Sequence, residues 1–212
     1  FLGADKAHEI VVTNTNKIAD MCEIVEVIPD TGGIPFSPRV KADDGESYLD
    51  CPVVVTDLVY TKAADWYGNP LPYMIEERIA TELYGDIVYR IIKEKLEKEN
   101  LSEEELTVES HKQLHDIILQ GKEKVVELVK ENIKNTTEEE LDEKALEKAT
   151  KKALGGVIGG GFDPIYLIAQ RLVKHSNDEG YLVGSRGSVG SSFVATMMGI
   201  TEVNPLAAHY RC

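Results

Sequence analysis

Three cysteines, Cys22, Cys51 and Cys212, are scattered through 212 residues, odd in number and far apart. A disulfide framework needs more cysteine than this, so a reducing, cytoplasmic setting is expected. No run of eighteen apolar residues exists, and no helix long and apolar enough to cross a bilayer is expected. The opening residues, FLGADKAHEI, are charged where a secretory leader would be apolar, so they are not a signal peptide. Basic residues are in deficit: 23 Lys and Arg stand against 37 Asp and Glu, a formal net charge of −14. That balance argues against free nucleic-acid binding by the chain as a whole, since a polyanionic ligand is repelled. Three ligand motifs are missing too. There is no GxxxxGK[ST] phosphate loop, no GxGxxG dinucleotide turn and no GxSxG nucleophile elbow.

What is present fits a globular protein, with 42% hydrophobic and 28% charged residues. The chain opens on Phe1 rather than Met, which suggests a piece of a longer protein. Charge divides it unevenly. Residues 1–85 hold 15 acids against 6 bases, residues 86–154 hold 18 against 13, and residues 155–212 hold 4 against 4. The acidic burden therefore lies outside the glycine-rich C-terminal part.

Local patterns predict mostly helix. Ile10, Val11, Ile18, Met21 and Cys22 fall at roughly helical spacing, with Thr13–Asn16 as an N-cap region for a second helix. Residues 29–38 (PDTGGIPFSP) read as a linker, and 39–52 as acidic turn. From Val53 a short strand is expected to pass into a helix that ends at Gly68. After Pro70 and Pro72, one helix is expected from Tyr73 through residue 99, with Ile75, Ile79, Leu83, Ile87 and Ile91 as its stripe and Gly85 inside it. Three helices are expected over 101–152, two of them opened by the capping boxes Ser102–Glu105 and Thr137–Glu140. ALGGVIGGG (153–161) reads as a flexible joint. FDPIYLIAQRLVKH (162–175) reads as a buried helix with Asp163 as its N-cap, followed by a turn that includes Asp178. Tyr181–Val183 reads as a short strand, and FVATMMGI (193–200) as a helix. His8, His111, His115 and His175 read as surface or capping residues; the spacing of His111 and His115 also allows a metal pair.

The chemistry concentrates in GSRGSVGSS, residues 184–192. A strand, a glycine-serine turn and a helix expose backbone N–H groups where the helix dipole favours an anion. Gly184, Gly187 and Gly190 permit close approach, while Ser185, Ser188, Ser191 and Ser192 supply hydroxyl donors. Arg186 brings a permanent charge that forks onto phosphate. On spacing alone two readings stand: an oligophosphate cradle, or a tight turn that needs small residues.

Longer runs narrow the choice. GYLVGSRGSVGSSFVATMMGITEVNPLAAHYRC (180–212) and GGFDPIYLIAQRLVKHSNDE (160–179) resemble the start of the palm in PolC-type bacterial DNA polymerases III. FLGADKAHEIVVTNTNKIADM (1–21) resembles the end of the PHP (polymerase and histidinol phosphatase) domain of that family. WYGNPLPYMIEERIATEL (66–83) resembles its linker into the palm. The resemblance implies four parts: 1–38, the PHP end and linker; 39–84, the linker into the palm; 85–153, a charged helical insertion; and 154–212, the start of the palm. The family usually passes almost directly from the RIATEL helix to the GGFDPIYLI helix, so the intervening segment is a departure from its pattern.

The implied fold class is α+β, mostly helical, with a partial nucleotidyltransferase-like palm related to polymerase beta. The implied parent is a replicative DNA polymerase, cytoplasmic, also carrying an exonuclease, that adds dNTPs to a primer 3′ end by two-metal phosphoryl transfer. Gly184, Ser185, Arg186, Gly187, Ser188, Gly190 and Ser191 would contact the triphosphate. No catalytic residue falls in this chain, because the Mg²⁺-binding aspartates of the family lie beyond position 212. His209–Cys212 matches the opening of a four-cysteine Zn²⁺ module, with Cys212 as first ligand. The isolated piece is expected to be inactive and to hold no metal tightly. Implied partners are dNTP, and through the parent protein primer–template DNA and replisome subunits such as the sliding clamp; no membrane is implied. The competing class is a stand-alone nucleotide- or anion-binding module with a helical interaction arm.

Overall fold

The computed structural model describes residues 3–23, 38–99, 101–137, 141–184 and 187–209. The chain divides into two compact units, Phe1–Phe36 and Ser37–Cys212.

In the first unit, helix α1 (Ala4–His8) runs through a π-helical turn at Glu9–Thr13 into helix α2 (Asn14–Asp20). The expected cap at Thr13–Asn16 is absent. Thr13 keeps helical angles, and the Thr15 hydroxyl donates back to the Val11 carbonyl at 2.8 Å. A threonine bonded four residues back continues a helix instead of starting one. The expected linker over 29–38 falls almost wholly outside the described residues.

The second unit opens with a tight turn. Leu49 N–H donates to the Val40 carbonyl and Ala42 N–H to the Ser47 carbonyl. The Asp44 carboxylate accepts from Ser47 Oγ and from the backbone N–H groups of Glu46 and Ser47, which hold its pKa below the ordinary carboxylate value, the Ser47 hydroxyl foremost. One antiparallel bridge, Lys41 with Tyr48, is the β structure among the described residues. The expected mostly helical chain is found; of the β part of the α+β expectation the described residues show this bridge and no sheet.

Helix α3 (Cys51–Tyr67) starts with Pro52 in its first turn, where a missing N–H is harmless. The strand expected from Val53 is part of this helix. Val53 is exposed and Val55 buried, but Cys51, Val55, Val59 and Ala63 recur every four residues, so the helical period overrides the β-branched run. Gly68 ends the helix as expected. Helix α4 (Tyr73–Tyr84) and helix α5 (Ile87–Leu96) are separate elements, correcting the single long helix. The break is Gly85, at φ 79, whose N–H donates to the Thr81 carbonyl at 2.8 Å.

Three helices follow: α6 (Glu103–Leu119), α7 (Lys122–Thr136) and α8 (Glu143–Ala153). Both bonds of the Ser102–Glu105 capping box form. The second expected box does not form as read: Thr137 is the C-cap of α7, and Asp142 caps α8 by accepting from Ala145 N–H at 2.7 Å. Residues 138–140 of that expectation lie outside the described residues. The charged faces of these helices look outward. Leu114, Ile118, Val125 and Val129 are fully buried and share one core with Ile79 and Leu83 of α4.

The expected flexible joint is instead a short helix, α9 (Gly156–Gly159), with Val157 and Ile158 buried. Gly155 N–H donates to the Tyr84 carbonyl at 3.2 Å. Gly156 lies so close to α4 that a Cβ there would stand 2.5 Å from the Glu82 carbonyl oxygen. Gly156 serves contact, not flexibility. Helix α10 (Asp163–Asp178) has Phe162 as N-cap and Asp163 as its first residue, so it begins one position earlier than expected, and it extends through the expected turn to Asp178. It is also less buried than expected: Asp163 and Leu167 are buried, while Ile165 and Leu172 are exposed. Burial raises the pKa of the Asp163 carboxyl.

Residues 181–184 are irregular, not a strand, and Leu182 is 95% exposed. An apolar run without a partner strand has no ladder to join. A 3₁₀ turn (Gly187–Ser191) and helix α11 (Phe193–Met197) complete the order. Helix α4 is the centre, packed by α5, α6, α9 and α11.

Candidate functional site: the glycine-serine loop and its clamp

The described part of the loop is the 3₁₀ turn. Gly187 sits at φ 71, a left-handed conformation that a Cβ would strain. Gly184 and Gly190 are not demanded sterically: a Cβ meets nothing within 4 Å at the first, and only Val203 at 3.8 Å at the second. Ser188 is exposed. The Ser191 hydroxyl donates to the Ser188 carbonyl at 2.6 Å, tightening the turn. Ser185, Arg186 and Cys212 lie outside the described residues.

The N-terminus of α11 is already occupied by an anion. Phe193 and Val194 donate their N–H groups to the two oxygens of Glu82, both at 2.9 Å, and Ser192 Oγ donates to Glu82 at 2.8 Å. Ser192 Oγ in turn accepts from Ala195 N–H at 3.1 Å. Phe193 and Val194 are fully buried, so these amides would go unpaired without the carboxylate. The helix-dipole seat that the sequence reading offered to phosphate is thus filled from within.

Arg78 locks this arrangement. Its Nε donates to Glu82 at 2.6 Å and its Nη2 to the Ser191 carbonyl at 2.9 Å. Arg78 and Glu82 come from α4, a turn apart, and bond to residues 110 to 113 positions later in the chain. A cleft of about 530 Å³ opens here. Arg78, Glu82, Ser188, Ser191 and Ser192 are among the residues that line it, and Phe162 and Tyr166 bring aromatic surface.

A second polar cluster lies at the join of α3, α4 and α6. Glu76 is 3% exposed. It accepts from the Tyr60 hydroxyl, and its other oxygen is 3.0 Å from His115 Nδ1. Burial, and then the charge of Glu76, push the Tyr60 pKa upward. His111 is buried between the Tyr73 and Tyr89 rings, with Nδ1 2.6 Å from the Thr107 carbonyl. The two histidines therefore face different partners and do not converge as a metal pair; neither is a plain surface residue. His209 packs on Tyr67, whose hydroxyl is 3.2 Å from its Nε2. Among the described residues no group of three or more His, Cys, Asp or Glu side chains is placed to hold a metal ion.

Sequence comparison decides the family. Residues 123–210, from α7 through the loop, match the family described as the bacterial DNA polymerase III alpha NTPase domain. All 212 residues align with curated proteins named DNA polymerase III PolC-type: 35% identical in Lactococcus lactis, 37% in Halalkalibacterium halodurans and 38% in Staphylococcus haemolyticus. The chain belongs to the PolC-type DNA polymerase III family. It spans 8% of the length of the Lactococcus relative and 9% of the other two. Within this PolC-type segment the family match takes in the cleft's loop and aromatic walls, while Arg78 and Glu82 stand before its start at residue 123. In the described residues no helix is long and apolar enough to cross a membrane.

Two clamp residues escaped the sequence reading. One signal was available. Glu82 lies in the last turn of its helix, where the dipole disfavours an acid. Arg78 precedes it by four, the weaker order for a helical ion pair. Such a misplaced pair marks a tie to another element.

Proposed function

We propose that this chain supplies the triphosphate-binding wall of the nucleotide site in a replicative DNA polymerase. The parent enzyme adds dNTPs to a primer 3′ end within a nucleotidyltransferase-like palm, and the helices described here form that palm's flank. The single observation that carries the reading is the exposed Gly187–Ser191 turn, held rigid beside a cleft in the region matched to the polymerase NTPase domain.

The chain's own contribution is binding and orientation. Gly187 turns the backbone sharply without side-chain bulk, Ser188 offers a hydroxyl at the cleft, and Arg186 supplies a charge of the right sign for phosphate. The Ser191 hydroxyl is spent on the turn itself, and Ser192 on the helix cap, so they support the site and Ser188 touches the ligand. Metal ions held by residues elsewhere in the parent would supply the charge neutralisation that phosphoryl transfer requires.

The test uses the full-length polymerase. Arg186→Ala should raise the KM for dNTP about tenfold, the scale of one lost charged hydrogen bond, and leave the KM for primer–template in place. An unchanged dNTP KM overturns the reading.

A further inference from the structure

We propose that Arg78 is a second cationic ligand for the triphosphate, and that Glu82 is the positioning residue that fixes both Arg78 and the loop. The inference rests on the nucleotide reading of the loop and extends it to helix α4.

Three observations carry it. First, the α11 amides are taken by Glu82, so the helix end is closed to phosphate. An incoming anion there would have to displace a carboxylate whose side chain is only 16% exposed. The ligand is therefore steered to the outer edge of the turn, at Ser188. Second, Arg78 lines the same cleft and is 41% exposed, accessible where Glu82 is not. Two of its N–H groups are spent on Glu82 and on the Ser191 carbonyl, and a guanidinium has further donors in the same plane for a ligand. Third, the bonds that hold it come from two directions. Glu82 fixes Nε from its own helix, and the Ser191 carbonyl fixes Nη2 from the loop. An arginine held this way has already lost much of its rotamer freedom before the ligand arrives.

A triphosphate brings several negative oxygens. Arg78 on α4 and the Ser188 hydroxyl on the loop line the same cleft and would meet the triphosphate from different elements. This is the forked recognition for which arginine is suited and lysine is not. Glu82 does not touch the ligand. It neutralises the excess charge of Arg78 in the empty site and caps α11.

The experiment measures single-nucleotide incorporation by the full-length polymerase, with inorganic tripolyphosphate as a competing probe. Arg78→Ala should raise the KM for dNTP and the inhibition constant of tripolyphosphate together, each about tenfold or more, while the KM for primer–template stays put. Arg78→Lys should recover part of the loss, because it keeps charge but not the fork; it also carries the test if the alanine variant fails to fold. If both Arg78 variants leave dNTP KM and tripolyphosphate inhibition unchanged while Arg186→Ala raises them, the role of Arg78 is overturned and the loop reading stands. If Arg186→Ala is silent as well, the loop reading itself has failed. If Arg78→Ala and Arg78→Lys weaken dNTP and DNA binding alike with a lowered Tm, Arg78 is only a structural brace.

Discussion

Gly156→Ala is the sharpest perturbation of this fold. Gly156 lies at φ 70, and a Cβ there would stand 2.5 Å from the Glu82 carbonyl oxygen, 2.7 Å from Leu83 C and 2.8 Å from Tyr84 N. All three are backbone atoms at the end of α4, so no side chain can swing aside. The left-handed conformation costs an L-residue about 1–2 kcal/mol. Forcing α4 and α9 apart adds about 1–3 kcal/mol. The sum is about 3 kcal/mol, worth a fall in Tm of roughly 6–12 °C for a unit of this size. Gly161 supplies the control, because it shares the positive φ, at 76, with nothing within 4 Å of a Cβ. Gly161→Ala should therefore cost only about 1–2 kcal/mol. Thermal and urea unfolding of the chain, followed by helical circular dichroism, measure both variants. Equal losses for the two would refute the close approach of α9 to α4.

Other substitutions probe the clamp and the core. Glu82→Ala leaves the buried N–H groups of Phe193 and Val194 unpaired and should cost about 2–4 kcal/mol in urea unfolding, whereas Glu82→Gln keeps an acceptor and should cost less. Leu114→Ala removes a fully buried side chain from α6 and should cost about 2–5 kcal/mol; a loss under 1 kcal/mol would mean that α6 is not packed on α4. Tyr60 ionises later in the folded chain than its ordinary value of 10.0, because burial and Glu76 oppose the phenolate. Its stabilising contribution is thus fully present below pH 10.0 and lost as pH rises further. Tyr60→Phe should lower stability at neutral pH by about 1–2 kcal/mol and flatten the alkaline loss, read from unfolding midpoints at a series of pH values.

Much of the helical pattern was legible because its causes are local. Ser102 and Glu105 sit three apart and cap each other, and Gly68 ends α3 at the end of its apolar period. The misreadings share one cause, tertiary context. Gly85 inside a four-residue apolar stripe looks tolerable, yet it ends α4 because the chain must turn there to let Gly155 in. ALGGVIGGG has the composition of a hinge, but Gly156 is a packing residue against a backbone that the sequence does not display. Tyr181–Val183 has strand composition without a strand beside it. At the site, the glycine-serine turn was visible from its spacing. Its clamp was not, since Glu82 meets Phe193 across 111 positions of sequence. The same holds for His115, whose partner Glu76 lies 39 residues earlier on another helix.

The contact between Gly85 and Gly155 has a consequence for chain connectivity. Gly155 N–H bonds the carbonyl next to Gly85, so residues 86–154 leave the end of α4 and come back to the same spot. An excursion whose ends already touch places little demand on its own length. Closing a loop twice as long costs only about 0.6 kcal/mol more. The exposed faces of the helices in this segment can accordingly exchange charge, and its exposed connections can vary in length, while α4 and α11 keep their mutual seat. The residues that clasp the loop, Arg78 and Glu82, stand just before the excursion begins, and Ser188 and Phe193 stand after it returns. Between them only the outward faces are free to diverge, because Leu114 and Ile118 of α6 share the core of α4.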